Sequence, residues 1–212
     1  MPALLIAPQA QLGRVQETAH ASGVSHYASH NYAKAVEELE RAILSEAENS
    51  PAWKESVLLL GQSYYILANH AKAAAWLEKA KSLGTRANEI QYMLGNSYIQ
   101  LREPEKAVNV FAAMFGFPPD SPAARVVASR MMLRLEQEEM ASQQLRKALE
   151  TDPRIAGARL MLGEMATFRG RIEEAVEVLQ QEIAINPSAA AAYYKLADAH
   201  TRRDRWTAAV PL

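Results

Sequence analysis

Three histidines crowd the start of the chain, in "HASGVSHYASH": His20, His26 and His30. His26 and His30 are four positions apart, a spacing that can share one helix face and hold zinc. Neither Cys nor a nearby carboxylate completes a ligand set, so no metal is expected there. "TRRDRW", Thr201 to Trp206, is basic with an aromatic and could touch phosphates. Asp204 interrupts it, and the segment reads as a solvated turn. Arg130 and Arg134 are one helical turn apart, so both guanidinium forks can address one carboxylate. Gln62 and Asn96 each donate and accept, as a bound main chain requires. "EQEE" and "IEEAVE" suit exposed helix starts, where acids favour the macrodipole. Met131, Met132, Met161 and Met165 recur at helical spacing and read as core filling. No nucleophile elbow, phosphate loop or pair of carboxylates in a cleft is written. The expectation is a non-catalytic chain without a cofactor or metal.

The bulk numbers narrow the class. The chain has 212 residues, 49% hydrophobic and 22% charged, enough apolar material to bury a core. A net charge of −1 supplies no long-range field toward nucleic acid or an anionic membrane, and neither is expected as a partner. The absence of Cys removes disulfides and thiolate chemistry. The start, "MPALLIAPQAQ", has a short apolar patch without a basic leader region or a full apolar stretch. It reads as a frayed extension over residues 1–15; the alternative is the remnant of a signal peptide. A cytoplasmic location is favoured, and export follows from the alternative.

The elements that carry these residues announce themselves by repetition. Ala73, Ala107, Ala141, Ala175 and Ala209 are spaced by 34, and Leu77, Phe111, Leu145 and Leu179 follow four residues after the first four. Leu60-Gly61, Leu94-Gly95 and Leu162-Gly163 keep the same interval, with Ala128-Ser129 in the remaining slot. Pro119, Pro153 and Pro187 are in phase. An earlier unit has Gly23, Ala35, Leu39 and Ala42, but precedes the next by 38 residues. The four extra residues are expected as an added helical turn before Pro51. Within a unit, apolar residues recur at helical spacing on both sides of a short polar break, so each unit is two amphipathic helices. Gly on one helix and Ala on the other allow close approach, with Tyr64 and Tyr98 beside the contact.

The pattern resembles the tetratricopeptide repeat, whose signature runs W-x2-L-G-x2-Y, A-x3-F, P. Val57, Gln91 and Arg159 stand in the Trp slot, and Ser22 and His26 replace Leu and Tyr in the first unit. The resemblance implies an all-α, right-handed α-α superhelix of antiparallel helix pairs over residues 16–212, about five full repeats and a truncated sixth. Helices are expected near 17–29, 32–46, 52–68, 70–82, 86–101, 104–115, 121–135, 137–149, 154–168, 171–185 and 188–202, with a last one from 204. Stacking buries faces that no pair can bury alone.

The resemblance also implies a concave face lined by the first helix of each pair. By phase, one inward row is Gln62, Asn96, Arg130, Glu164 and Asp198; a second is Leu58, Tyr92, Val126, Leu160 and Tyr194. A third is Tyr65, Ile99, Leu133 and Thr167, beside Gln100, Arg134, Phe168 and Arg202. The candidate groove is Leu58, Gln62, Tyr65, Tyr92, Asn96, Ile99, Gln100, Val126, Arg130 and Arg134, binding a peptide or partner helix. A clamp for a C-terminal carboxylate, which some relatives build from Lys and Asn, is not expected: His20 and Val24 fill the slots. The function expected is a protein–protein interaction scaffold. The alternatives are a self-association module, or a regulatory or substrate-presenting segment of a larger enzyme or secretion machine. The final unit stops at "RWTAAVPL" without a capping helix. The favoured expectation is that the chain is a fragment of a longer protein; the alternative is pairing of that end, which would make Trp206, Ala209, Val210 and Leu212 a contact in a homo-oligomer.

Overall fold

In a computed structural model the described residues are 18–84 and 88–209, with side chains to residue 203. The predicted extension, Val210, Leu212 and the side chains of Trp206 and Ala209 lie outside them. Every regular element among the described residues is a helix. They are α1 (Ala19–Ala28), α2 (Tyr32–Ser45), α3 (Pro51–Ile66), α4 (His70–Ser82), α5 (Asn88–Gln100), α6 (Pro104–Phe115), α7 (Pro122–Arg134), α8 (Glu138–Thr151), α9 (Ala158–Phe168), α10 (Ile172–Ile185) and α11 (Ala190–Ala209). Each odd helix packs against the even helix that follows, and each even helix packs against the next odd one. The result is an all-α solenoid of stacked helix pairs.

A single contact repeats inside the pairs. A Cβ added to Gly95 would lie 2.5 Å from the Phe111 ring; one on Gly61 would lie 2.8 Å from Leu77, and one on Gly163 2.6 Å from Leu179. Phe111, Leu77 and Leu179 are fully enclosed, so the backbone of the first helix is the floor on which each large side chain rests. α7 has Ser129 in this slot. Its single hydroxyl proton is shared between the Arg125 carbonyl at 2.8 Å and the Ala141 carbonyl at 3.2 Å, tying α7 to α8.

The turn inside each pair is also one design. His30, Ala68, Arg102, Glu136 and Gly170 all have positive φ, between 57° and 73°. After Ala68 the amide of Asn69 donates to the Tyr64 carbonyl and that of Ala68 to the Tyr65 carbonyl. These two bonds close the helix end, and the pattern returns in every pair. Asn31 and Asn69 then cap the next helix through their side chains. Glu103, Gln137 and Arg171, in the same slot, make no such cap.

Between pairs, a polar cluster recurs and then changes. The Tyr64 hydroxyl bonds Glu40, and Lys72 donates to it at 2.8 Å. One repeat on, the Tyr98 hydroxyl donates to Glu78 at 3.0 Å. The next set of slots holds Ala112, Met132 and Met140, all buried. The set after that restores an ion pair with the signs exchanged, Arg146 to Glu174 at 4.0 Å. A tighter cluster joins α6, α7 and α8, where Glu105 receives Arg125 at 2.7 Å, Gln144 at 3.0 Å and Lys147 at 2.6 Å.

Two boundaries differ from expectation. The extra turn of the second unit does not precede Pro51; it is the first turn of α3, which has 16 residues against 13 in α7. Ser50 caps the Trp53 amide and Pro51 occupies the first turn, so the helix starts there. The second difference is α11, which runs through the break expected near residue 203. No Gly, Pro or Asn stands between Tyr193 and Ala209, and a continued helix satisfies every backbone amide it passes.

Candidate binding groove

The first helices lie side by side across pair boundaries: α1 with α3, α3 with α5, α5 with α7, and α9 with α11. The second helices of successive pairs do not pack closely on one another. A row of close neighbours on one side and spread neighbours on the other is a curve, with the first helices inside it.

The residues placed there by phase divide into three groups. The first is structural. Ile99 is fully enclosed and belongs to the main core. Val126 is nearly so, packed with Leu145, Ala158 and Met161 where α7 and α9 stand further apart than the other first helices. Leu58 is half-buried against Trp53, Val57 and Ala80.

The second group ties neighbouring first helices together. Gln62 accepts from the Tyr27 hydroxyl at 3.0 Å, and Asn96 donates to the Tyr65 hydroxyl at 3.2 Å. Tyr27 and Tyr65 occupy one slot of successive units, as do Gln62 and Asn96. The polar row is therefore a ladder along the inner face, and Asn96 is only 3% exposed. Later units hold Ile99 with Arg130 and Leu133 with Glu164 in these slots, and the ladder stops.

The third group is open to solvent: Tyr92, Gln100, Arg130 and Arg134, with Phe168, Tyr194 and Arg202 from the same rows. Phe168 is 79% exposed and Tyr194 71%. Most acids beside them are held, while Glu89, in the Glu55 slot of α5, is exposed without an ion pair among the described residues. Glu55 meets His20 at 3.2 Å, Glu164 meets Lys195 at 3.1 Å, and Asp198 meets Arg202 at 3.2 Å. Among the described residues, Arg130 and Arg134 make no ion pair or hydrogen bond through their side chains.

The rival sites dissolve into local structure. His20 bonds Ser56 at 3.0 Å, and His30 bonds the Tyr32 hydroxyl at 2.8 Å. Among the described residues no group of three potential ligands gathers for a metal. "TRRDRW" lies within α11 rather than in a turn. No helix among the described residues is long and apolar enough to cross a membrane.

Models of the tetratricopeptide repeat match residues 20–89 and 89–114, and a model described as TPR repeat matches residues 167–202. The chain belongs to the tetratricopeptide repeat family. No curated protein matches it. Among solved structures it is similar to a tetratricopeptide repeat protein from Parabacteroides merdae, at 21% identity and a TM-score of 0.48, covering 88% of this chain and 73% of that one. It is similar to MamA at 16% identity and a TM-score of 0.47, covering 88% and 96%. A third is YrrB, described as a TPR protein with an unusual peptide-binding site, at 20% identity and a TM-score of 0.45, covering 81% and 87%. Tetratricopeptide repeats make a protein-interaction scaffold, and such scaffolds generally take protein or peptide partners. Residues 115–166, between the matched segments, include Ser129 in its Gly slot and the widened α7–α9 step.

Sequence reasoning missed two inner-face residues. Ile66 shares the slot of Gln100, Arg134 and Phe168 and is exposed. Tyr27 shares the slot of Tyr65 and starts the ladder. Both were legible by subtracting the repeat interval once more.

Proposed function

We propose that the chain holds an extended peptide or a partner helix against the inner face of α3 to α11, without catalysing a reaction. One observation carries this reading. Large aromatic side chains that a lone chain would be expected to cover, Tyr92 and Tyr194 from one row and Phe168 from another, stand exposed on the side of the solenoid where Arg130 and Arg134 also stand. Extended chains suit such a face, because pockets take side chains while polar groups take the main chain. Gln100 supplies the polar share; Gln62 and Asn96 are engaged in the ladder and mainly set the spacing of the helices.

The test is capture of partners from an extract of the source cells, with variants on opposite faces. Tyr92→Ala combined with Phe168→Ala should abolish capture, while Glu150→Ala, on the exposed side of α8, should leave it intact. The reverse outcome would place binding outside the groove.

A second reading has its own observation. Ala197 occupies the slot in which Gly61, Gly95 and Gly163 are buried, yet it is exposed. Tyr193 beside it on α11 is also exposed. A second copy of the chain can cover this face and make a homo-oligomer. Sedimentation should then show mass rising with concentration, and Ala197→Glu should hold the chain monomeric. A monomer at every concentration sinks this reading.

A further inference from the structure

The groove reading leaves the partner's chemistry open, and the charges on the inner face narrow it. Every acid in the inward rows named above has a cation: Glu164 has Lys195 and Asp198 has Arg202. Glu55, at the mouth of α3, has His20. The middle of the face is different. Arg130 and Arg134 share one side of α7, a single turn apart, and neither guanidinium has a protein partner among the described residues. Arg102 and Arg154 are likewise exposed without a side-chain partner among the described residues, but each stands alone in a turn, whereas other arginines are engaged. Arg125 meets Glu105, Arg169 meets Glu138, and Arg171 meets Glu174.

We infer that the ligand of this face is an acidic peptide segment, with carboxylate side chains seated on Arg130 and Arg134 and apolar residues to either side. The inference rests on the groove reading and adds the partner's charge and spacing. Two planar forks one turn apart can each take a carboxylate by paired N–H donors, which a lysine pair would not do with the same directionality. A carboxylate is also what an exposed, uncompensated pair of cations favours on a chain whose net charge is −1.

The apolar flanks follow from spacing. Packed helices lie about 8–10 Å apart, and an extended chain advances about 3.3 Å per residue. Stepping from α7 to α5 therefore takes about three residues of ligand, and the wider step to α9 takes at least as many. On α5 the exposed side chains are Asn88 and Glu89 in the first turn, then Tyr92 and Gln100; on α9 it is Phe168. The segment recognised is thus an acidic centre with an aromatic or aliphatic residue about three positions away on the α5 side and three or more on the α9 side. Its own C-terminus is not required, because the cations sit in the middle of the row rather than at its end.

The probe is a synthetic octapeptide, blocked at both ends, with two central glutamates, a phenylalanine at each end and serines between. Its controls replace the glutamates by glutamine or by lysine, and a single-stranded oligonucleotide serves as a rival polyanion. Binding is read by fluorescence anisotropy at two salt concentrations, on the full chain. The glutamate peptide should bind about tenfold or more tightly than the glutamine peptide, and more weakly as salt rises. Arg130→Glu with Arg134→Glu should lose that preference and take up the lysine peptide. Both positions are exposed, and circular dichroism should show the fold unchanged.

Equal binding of all three peptides, no binding of the glutamate peptide up to about 1 mM, or binding of the oligonucleotide alone overturns the inference. Failure of the underlying reading has a different signature. If Tyr92→Ala with Phe168→Ala abolishes binding of every peptide while charge reversal at Arg130 and Arg134 does nothing, the groove stands and its acidic preference falls. If the glutamate peptide binds and neither pair of substitutions weakens it, the groove itself falls.

Discussion

At the scale of the residue, two recurring positions decide how the helix pairs close. Gly95 is helical, where Ala would ordinarily gain about 1 kcal/mol by propensity. Here the added methyl meets the Phe111 ring at 2.5 Å, and that ring is enclosed on all sides. Overpacking costs about 1–3 kcal/mol, so Gly95→Ala should lower stability, measured by urea unfolding. An unchanged or higher midpoint would show that α5 and α6 can separate freely. The turn residues pull in the opposite direction. Arg102 is held at a φ of 58°, in the left-handed region where a side chain costs about 1–2 kcal/mol and Gly costs little. Arg102→Gly should therefore raise the midpoint by about 1 kcal/mol, less whatever Gly loses in unfolded-state entropy. The close-approach glycines were plain in the sequence, because a small residue kept at a fixed interval beside a large apolar one marks where two helix backbones meet. The turn strain was not, since His30, Ala68, Arg102 and Glu136 share a backbone angle but no side-chain chemistry.

At the scale of the element, the joint between α6, α7 and α8 is the most strongly charged. Burial pushes the Glu105 carboxyl up, but hydrogen bonds from Lys147, Gln144 and Arg125, with the charge of Arg125, bring it down to about 2. A carboxyl depressed in the folded state contributes stability above its ordinary value of 4.5, and loses it as pH falls from there toward 2. Urea midpoints should therefore drop between pH 5 and pH 3 by more in the native chain than in Glu105→Gln. Equal slopes would remove Glu105 from the acid response. Helix existence and pairing were legible because period and prolines agree. The lost break in α11 was not, because "TRRDRW" looks polar enough for a turn while containing nothing that ends a helix. The burial of Ile99 and Val126 was also hidden. Phase locates a residue on a helix face, but only the distance to the neighbouring helix decides whether that face is open. Gln62 and Asn96 show the same limit: their donors and acceptors were visible in the sequence, whereas the tyrosines that engage them come from the unit before.

At the scale of the whole molecule, a solenoid is held by nearest neighbours, so stability varies along it. One continuous core runs from α2 to the start of α8, while smaller clusters serve α9 to α11. Amide hydrogen exchange should therefore protect α3 to α6 longest and release α9 to α11 first. Uniform protection would mean a single cooperative unit. On the groove reading, another chain lies against the inner face of α5, α7 and α9. NMR titration of the labelled protein with the doubly glutamate peptide tests this most directly. Resonances of Tyr92, Gln100, Arg130, Arg134 and Phe168 should shift together and saturate at one stoichiometry. Shifts confined to the even-numbered helices, α4, α6 and α8, would contradict the account.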